Sequence, residues 1–332
     1  DALLAGFSLD TPGGITVEST TAAGGSIDWT YAVGNAAVDF LASGEVITLS
    51  FDVRINDGIL SVSQTVTITV TGTNDQPVFE ANSVLADAIT EQTDTTGAVT
   101  PLTASGQIVL SDVDLTDTHT TNQTFVSAAW SGGADRPVDP GQLLFEAVNQ
   151  AAGTARWTYI VADNALDFLG AGETLTITYD VTVRDSSATA NASSPSRQVV
   201  VTITGTNDVP VITSGAQTGS VEETADVVGG ADPDPAAATG IISFLDVDLS
   251  DDPEASHDGG TVSNMAFAHG YTPTDEQIAA LKAGFSLDDA ALSNFSNGTG
   301  STGWTYQVAN SVVDFLGAGD SVELTYVVTI DD

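Results

Sequence analysis

The heptapeptide Gly72-Thr73-Asn74-Asp75-Gln76-Pro77-Val78 returns as Gly205-Thr206-Asn207-Asp208-Val209-Pro210-Val211. Pro77 and Pro210 lie 133 residues apart, a period within the commonest size range of a single domain. A proline fixes its own φ and drives the preceding residue to an extended conformation, so each copy predicts a short, stiff joint, unlike a flexible Gly/Ser linker. We therefore predict three modules: 1–75 as the C-terminal part of one repeat, 76–208 as a complete repeat, and 209–332 as most of a third.

Further motifs recur in the same order and support this division. Trp-Thr-Tyr occurs at 29–31, 157–159 and 304–306, and Asp-Phe-Leu follows it at 39–41, 167–169 and 314–316. Gly followed by Glu or Asp comes next, at 44–45, 172–173 and 319–320. An alternating run then ends at Asp57, Asp185 or Asp332. Two acidic features occur twice, Asp-x-Asp at 112–114 and 246–248 and a Glu at 91 and 223. Repetition at domain length predicts an array of similar folded units, and the first repeat begins mid-pattern, which predicts an excised piece of a longer protein.

The local pattern within each module is that of β-strands. Residues 46–53, 174–183 and 322–330 alternate apolar and polar residues, as do 65–71 and 199–204, with Val, Ile and Thr dominating. Many short strands separated by Gly, Asn and Asp turns predict an all-β fold of tandem Ig-like β-sandwich modules, which the stiff joints would hold as a linear rod.

Short helical insertions are also predicted. Thr274-Asp275-Glu276-Gln277 has the capping-box pattern and predicts a helix over 278–282. Residues 39–41 and their repeats are expected to form a single helical turn at a corner of the sandwich. The recurring Trp and Tyr lie among alternating apolar residues, which favours packing in the core over a platform for binding sugars.

The charge balance excludes several classes of function. Six Lys and Arg stand against 45 Asp and Glu, giving a net charge of −39. Such a chain repels nucleic acid and anionic lipid and also repels itself, so divalent cations are the expected compensation. The alternative is that the acidity serves only solubility or reflects a saline habitat. No Cys is present, which excludes disulfides and thiolate sites, and no run approaches the roughly 20 apolar residues of a membrane span.

The recurring acids suggest Ca²⁺ sites, because this ion takes 6–8 oxygen ligands. Asp-x-Asp places two carboxylates on one side of an extended segment, and the Asn-Asp of each link supplies two more oxygen side chains. A Glu early in the module and an Asp at the end of a long strand would complete the shell, since strand ends gather at the poles of a sandwich. The candidate metal ligands are Asp57, Asn74, Asp75, Glu91, Asp112, Asp114, Asp185, Asn207, Asp208, Glu223, Asp246 and Asp248.

These motifs together resemble the VCBS-type, cadherin-like repeats of giant bacterial RTX adhesins, over essentially the whole chain. The resemblance implies an extracellular, cell-surface fibre exported by a type I system, in which calcium-stiffened repeats hold a distal binding domain away from the cell for adhesion and biofilm formation. It implies that each link shares ions with the following Asp-x-Asp: Asn74 and Asp75 with Asp112 and Asp114, and Asn207 and Asp208 with Asp246 and Asp248, with Glu91 closing the second site.

The sequence departs from the cadherin pattern in two respects. Gly72 and Gly205 stand where the cadherin linker would begin with an acid, and no Asp-Arg-Glu is present, so Glu45 and Glu173 are candidate substitutes. An EF-hand is excluded because the loop beginning at Asp112 lacks Gly at its sixth position and Glu at its twelfth. The Gly-Gly-x-Gly-x-Asp pattern of a calcium β-roll is also missing.

An enzyme is not expected. The three His are not placed as a catalytic triad or a His-Glu-x-x-His site, and an enzyme rarely repeats its carboxylates in every module. Isopeptide-stapled pilin modules are set aside because Lys282 is the single lysine. We expect a monomeric spacer whose partners are its neighbouring repeats, with no nucleic acid and no membrane insertion. The alternative function is a glycan- or surface-binding module of the same adhesin, using the non-repeated loops 131–142, 186–197 or 252–275.

Overall fold

The computed structural model describes residues 2–10, 26–93, 95–134, 138–225 and 233–332. The first part of the chain contains two antiparallel strand pairs. Its elements are helix α1 (Ala2–Ala5), strands β1 (Phe7–Leu9) and β2 (Trp29–Tyr31), a 3₁₀ turn (Asn35–Ala37), and strands β3 (Val46–Asn56) and β4 (Ser61–Thr71). Strand β1 pairs with β2, and β3 pairs with β4 in a long hairpin.

The middle of the chain forms a β-sandwich of two four-stranded sheets, which confirms the predicted fold class. Its strands are β5 (Val78–Phe79), β6 (Ala86–Thr90), β7 (Pro101–Ser111), β8 (Thr120–Trp130), β9 (Gln142–Phe145), β10 (Thr154–Ala162), β11 (Thr174–Arg184) and β12 (Arg197–Thr204), with a 3₁₀ turn at Asp163–Ala165. One sheet has the order β5-β7-β10-β9, and the other β6-β12-β11-β8. Neighbouring strands are antiparallel except β6 and β12, which run parallel.

The alternation in the sequence explains how these two sheets pack. Every second residue of β11, from Leu175 to Val183, is buried, and the residues between them are partly exposed. Trp157 and Tyr159 of β10 face the same core and are 1% and 0% exposed, which confirms the expected packing role of this aromatic pair. Trp29 differs, because it is 43% exposed and stacks on Phe7.

The last part of the chain contains a similar four-stranded sheet, but fewer of its apolar side chains are buried. Its elements are strands β13 (Val211–Ile212), β14 (Ala238–Leu245), β15 (Glu254–His257) and β16 (Thr261–Ala266), helix α2 (Asp275–Lys282), strands β17 (Phe285–Leu287) and β18 (Thr299–Tyr306), helix α3 (Asn310–Val313), and strands β19 (Ser321–Thr325) and β20 (Val328–Asp331). One sheet has the order β13-β14-β18-β17, while β15 pairs with β20 and β16 with β19.

The structure corrects two details of these predictions. The run 322–330 is not one strand, because it is interrupted between β19 and β20. The helical turns lie just before Asp-Phe-Leu, at Asn35–Ala37, Asp163–Ala165 and Asn310–Val313, and the Asp-Phe-Leu residues that were expected to be helical follow them. The α2 prediction is confirmed: the Thr274 hydroxyl accepts from the Gln277 backbone N–H, and the Gln277 side chain accepts from the Thr274 N–H.

Strand pairing respects the repeat. Within the described residues, every strand pair lies inside 7–71, 78–204 or 211–331, so none crosses a proline link. The division at 75/76 and 208/209 and the linear arrangement of the modules stay predictions. No helix of the described chain is both long and apolar enough to span a membrane.

Candidate metal centres at the two joints

The first joint consists of the link 72–78 and the acidic side chains that surround it. The backbone N–H of Asp75 donates to Oδ2 of Asp114 over 2.8 Å, and the N–H of Asp114 donates to Oδ1 of Asp112 over 3.1 Å. The side-chain amide of Asn74 donates to Oδ2 of Asp185 over 3.0 Å. The link and the Asp-x-Asp motif therefore meet at this joint.

The acids of the first joint form a compact cluster. One carboxylate oxygen from each of Asp112, Asp117 and Asp185 lies within 4.8 Å of the others. Nε2 of His119 lies 2.9 Å from Oδ2 of Asp112, so this acid also has a basic neighbour. Burial raises the pKa of Asp114, which is 2% exposed, and neighbouring carboxylates raise it further.

The second joint consists of the link 205–211 and its own acids, and it repeats the geometry of the first. The N–H of Asp208 donates to Oδ2 of Asp248 over 2.9 Å, and the N–H of Asp248 donates to Oδ1 of Asp246 over 3.1 Å. Asn207 donates to Oδ2 of Asp332 over 3.0 Å. Asp246, Asp248, Asp251 and Asp332 form the cluster here, each with one oxygen within 4.8 Å of the others.

The second joint also holds a separate cluster, contributed mainly by the middle sandwich. Glu91, Asp167 and Asp208 place one oxygen each within 4.8 Å of one another, and Oε2 of Glu91 accepts from the N–H of Thr206 over 3.0 Å. Glu91 is 4% exposed, and burial raises its pKa to about 8, with the nearby carboxylates of Asp208 and Asp248 adding to the effect. The expectation that Glu91 lies beside the second link is therefore matched by the geometry.

The Asp-x-Asp acids of the second joint have raised pKa values too. Burial raises the pKa of Asp248 to about 7 and that of Asp246 to about 6, and surrounding acids contribute in both cases. The acids raise one another's pKa values, because each carboxylate loses water and gains negatively charged neighbours when the joint assembles. The raised pKa values therefore reflect unfavourable electrostatics among the acids of the joint.

Several buried oxygens at the joints receive no hydrogen bond within the described part of the chain. At the first joint they are Asn74 Oδ1, Asp114 Oδ1 and Asp117 Oδ2, and at the second Glu91 Oε1, Asp167 Oδ1, Thr206 Oγ1, Asp246 Oδ2 and Asp248 Oδ1. Burying a polar oxygen without a partner is costly, and more so for a carboxylate. These potential metal ligands are carboxylate, amide and hydroxyl oxygens, the ligand type that Ca²⁺ takes in proteins.

Direct contacts between neighbouring modules surround these clusters. The N–H of Leu115 donates to the carbonyl of Phe40 over 3.3 Å, and its counterpart Leu249 donates to Phe168 over 3.4 Å. At the first joint the Thr116 hydroxyl also donates to Oε1 of Glu45 over 2.9 Å. The Asp-x-Asp-Leu loop of one module therefore rests on the Asp-Phe-Leu turn of the preceding module.

The two link glycines have a steric role in this arrangement. A Cβ atom on Gly72 would overlap the carbonyl oxygens of Leu41 and Ala42, and one on Gly205 would overlap those of Leu169 and Gly170. An acidic residue, as in the cadherin linker, would not fit at either position. The departure from the cadherin pattern thus follows from the close packing of link on turn.

Glu45 and Glu173, the candidate substitutes for the missing cadherin acids, brace these turns. Oε2 of Glu45 accepts from the N–H of Ala42 over 3.0 Å. Oε2 of Glu173 accepts from the N–H of Gly170 over 3.1 Å and from Nε1 of Trp130 over 3.0 Å. Neither belongs to an acid cluster of the described chain.

Two of the twelve candidate ligands lie away from both joints. Asp57 is in the exposed β3–β4 turn, where its Oδ1 accepts from the N–H groups of Ile59 and Leu60. These hydrogen bonds lower its pKa. Glu223 is exposed and belongs to no acid cluster of the described chain. The other ten line the two joints.

Four cluster members are not among the ligands predicted from the sequence. Asp117 and Asp251 stand three residues after the second acid of each Asp-x-Asp, a spacing that the sequence repeats and that was available as a signal. Asp332 ends the third alternating run, as Asp185 ends the second. Asp167 belongs to the Asp-Phe-Leu motif, which was interpreted only as a corner turn.

The loops considered for glycan binding lie in different surroundings. The 186–197 loop packs on the first link, because the Asn191 amide donates to the carbonyl of Asn74 over 2.8 Å and the Gln76 amide donates to the carbonyl of Ser193. Residues 135–137 of the 131–142 loop lie outside the described chain. In 252–275, Tyr271 is 44% exposed beside Phe267 and donates to Oε1 of Gln277.

Neither family models nor curated proteins match the chain. Among solved structures it is similar to Drosophila N-cadherin EC1-4, with a TM-score of 0.25 and 10% identity, covering 97% of this chain and 66% of that one. It is also similar to the CupB6 tip adhesin from Pseudomonas aeruginosa, with a TM-score of 0.22 and 11% identity, covering 77% of this chain and 94% of that one. The chain thus spans just under two thirds of the N-cadherin structure. Similarity this weak leaves the function to be inferred from the joints.

Proposed function

We propose that this chain is a calcium-rigidified structural extender of a bacterial cell-surface adhesin. Its modules are spacers, and calcium at the joints limits their bending, so that a distal binding domain is held away from the cell. The observation that carries the proposal is the set of buried, unpartnered oxygens at both joints, such as Asp114 Oδ1 and Asp248 Oδ1. A bound cation supplies the partner that each of these atoms lacks.

The clusters lie where an ion restrains motion between modules. An ion held by Glu91 and Asp167 of the middle sandwich, together with Asp208 of the link, ties that sandwich to the link. An ion held by Asp246 and Asp248 ties the third module to the same link, whose Asp208 N–H already contacts Asp248. Two anchored ends leave the link little freedom to rotate.

Charge gives calcium a second role. At a net charge of −39 the folded chain repels itself, and the repulsion is strongest where buried carboxylates meet. Ca²⁺ cancels charge at those points. Because the clusters assemble only in the folded chain, binding stabilises the folded state by linkage.

Calorimetry and small-angle X-ray scattering test the proposal directly. Adding millimolar Ca²⁺ to metal-free protein should raise the melting temperature and narrow the distribution of overall dimensions, and EDTA should reverse both changes. Asp251→Asn should weaken the response, whereas Asp252→Asn, an exposed neighbour outside the cluster, should not. An identical melting temperature and scattering profile with and without Ca²⁺ would exclude calcium rigidification.

The remaining parts of the proposal concern partners and location. The partners are the neighbouring repeats of the same chain, the chain is a monomer, and the protein acts outside the cell, bound to neither nucleic acid nor lipid. The strongly acidic composition supports this view. Light scattering on the purified chain should give the mass of one copy, and antibodies against the chain should label intact cells if it is displayed on their surface.

A further inference from the structure

A long groove opens on the third module, with a volume of about 910 Å³. One wall is the segment 214–221, and the other is formed by Val322 and Leu324 of β19, Val328 of β20, and Tyr326 between these strands. The floor is the inner face of the facing sheet, where Ile242 and Trp304 lie. The groove is therefore an opening into the interior of a sandwich.

The middle sandwich shows what such a space holds when it is filled. There β12 runs between β11, to which it is antiparallel, and β6, to which it is parallel. Its inward residues Val199, Val201 and Ile203 are each 0% exposed. One strand thus supplies both the backbone pairing and the apolar side chains for this side of the core.

The repeat aligns the walls of the groove with the neighbours of β12. Counting from Trp157 and Trp304, the inward residues Leu175, Ile177 and Tyr179 of β11 correspond to Val322, Leu324 and Tyr326. The first three are buried, whereas their three counterparts are only partly buried.

The other wall aligns in the same way. Counting from Glu91 and Glu223, β6 corresponds to 218–222, which forms no strand. Both strands that flank β12 in the middle sandwich therefore have counterparts here, and the space between those counterparts is open.

The chemistry of the groove also limits what fits it. The ionisable side chains that line it besides tyrosine are Asp320 and Glu323, both acidic. The one ionisable residue of β12 is Arg197, which is basic. An extended segment with Val or Ile facing inward and Thr facing outward can pack against the apolar walls and floor of the groove. If it carries no acid, it also avoids repulsion from Asp320 and Glu323.

We propose that the groove binds one extended β-strand with the alternation of β12, antiparallel to β19 and β20 and parallel to 218–222. The occupant is a peptide segment with three aliphatic side chains on one face and a polar opposite face. This interaction is separate from the proposed calcium sites at the joints. The bound segment completes the core of the third module by adding a strand between β19–β20 and the segment 218–222.

The first test is a peptide of residues 196–205 titrated into the full chain in saturating Ca²⁺, with calorimetric detection. Binding should be saturable with one peptide per chain. A control peptide with Val199→Thr, Val201→Thr and Ile203→Thr keeps the length and charge but removes the apolar face, and it should bind at least tenfold more weakly. Equal binding of the two peptides would overturn the proposal.

A cross-link tests the register of the bound strand. Because the chain contains no cysteine, an introduced thiol is the one thiol that can react. In the middle sandwich Thr202 pairs with Ala88, whose counterpart in the third module is Ser220. A Ser220→Cys chain should therefore form a disulfide with a peptide that carries Thr202→Cys as a thiopyridyl disulfide, releasing pyridinethione. A peptide with the activated cysteine at position 198, outside that ladder, should react far more slowly.

The first module offers a competing edge, because β3 is paired only with β4 in the described chain. A Thr48→Cys chain places a thiol on β3, and faster cross-linking there than at Ser220→Cys would overturn the proposal. A dimer of the chain that excess peptide does not dissociate would also overturn it, because a second copy would then fill the groove. Thermal melting of each cysteine chain shows that it folds like the parent.

Discussion

The side-chain amide of Asn74 donates a hydrogen bond to Oδ2 of Asp185 over 3.0 Å, although 111 positions separate the two residues. Asn74 belongs to the proline link, and Asp185 directly follows the last residue of β11. Both are buried, at 8% and 4% exposure. The contact therefore fixes the start of the middle sandwich against the C-terminal end of β11.

Removing this contact should weaken the first joint. Asn74→Ala leaves the carboxylate of Asp185 with one donor fewer in a buried site, so we expect a loss of about 1–3 kcal/mol in unfolding free energy. Urea unfolding in saturating Ca²⁺ measures it. Asn122→Ala, at an exposed position on β8, is the control and should change stability by less than about 0.5 kcal/mol. Equal losses in both variants would show that the buried contact adds nothing.

Asp248→Asn should have effects of opposite sign with and without calcium. The asparagine oxygen can still accept from the Asp208 N–H, so the hydrogen bond is kept while one buried negative charge is lost. In EDTA the melting temperature should rise because repulsion in the cluster falls, and in Ca²⁺ it should fall below that of the parent because a ligand charge is missing. Asp252→Asn should show neither effect. A shift of the same sign in both buffers would contradict the assignment of Asp248 as a ligand.

Without metal, stability should fall as the pH rises. The folded-state pKa values of Glu91, Asp248 and Asp246 are about 8, 7 and 6. They lie above the value of about 4 for acids in the unfolded chain. Between about pH 4 and pH 8 the folded state binds more protons, so the free energy of unfolding decreases with increasing pH.

Calorimetry in EDTA at pH 5 and pH 8 checks this dependence, and the melting temperature should be higher at pH 5. Glu91→Gln should reduce the difference because the group with the highest pKa is removed. Saturating Ca²⁺ should offset the loss at pH 8, since the ion binds deprotonated carboxylates. A melting temperature in EDTA that does not change with pH would contradict the raised pKa values.

Gly205→Ala should disturb the second joint through sterics alone. Its Cβ would overlap the carbonyl oxygens of Leu169 and Gly170, so the link must move away from the turn, at a cost of about 1–3 kcal/mol. Gly215→Ala is a matched control, because no atom lies within 4 Å of its Cβ position. Urea unfolding gives the cost, and scattering should show longer average dimensions for the first variant only. Indistinguishable variants would mean that the link tolerates a side chain.

The alternation of apolar and polar residues was sufficient to predict the sandwich. Alternation with period two fixes which side of a strand is buried, and β11 follows it without exception over Leu175–Val183. The proximity of Asp75 and Asp114 was implied by the resemblance to cadherin-like repeats and not by the alternation or the repeat length.

Repetition alone could not predict which equivalent residues share an environment. Asp57 and Asp185 directly follow the corresponding strands β3 and β11, but the chain after Asp57 turns back within three residues, and its carboxylate caps that turn. After Asp185 a longer loop folds over the link, where Asn191 contacts Asn74. The difference lies in loop length and tertiary contact, neither of which is encoded in the motif itself.

The packing of each link glycine on the preceding Asp-Phe-Leu turn has an evolutionary consequence. By the predicted division, the link glycine and the turn belong to one module, and the loop that contacts the turn, through Leu249 and Phe168, belongs to the next. A module with these motifs therefore has a link and turn at its C-terminal end that match the Asp-x-Asp-Leu loop at the N-terminal end of the next module. Such units can be duplicated, deleted or exchanged by recombination at a period of one module without redesigning the junction, so the length of the protein can change while its junctions stay the same.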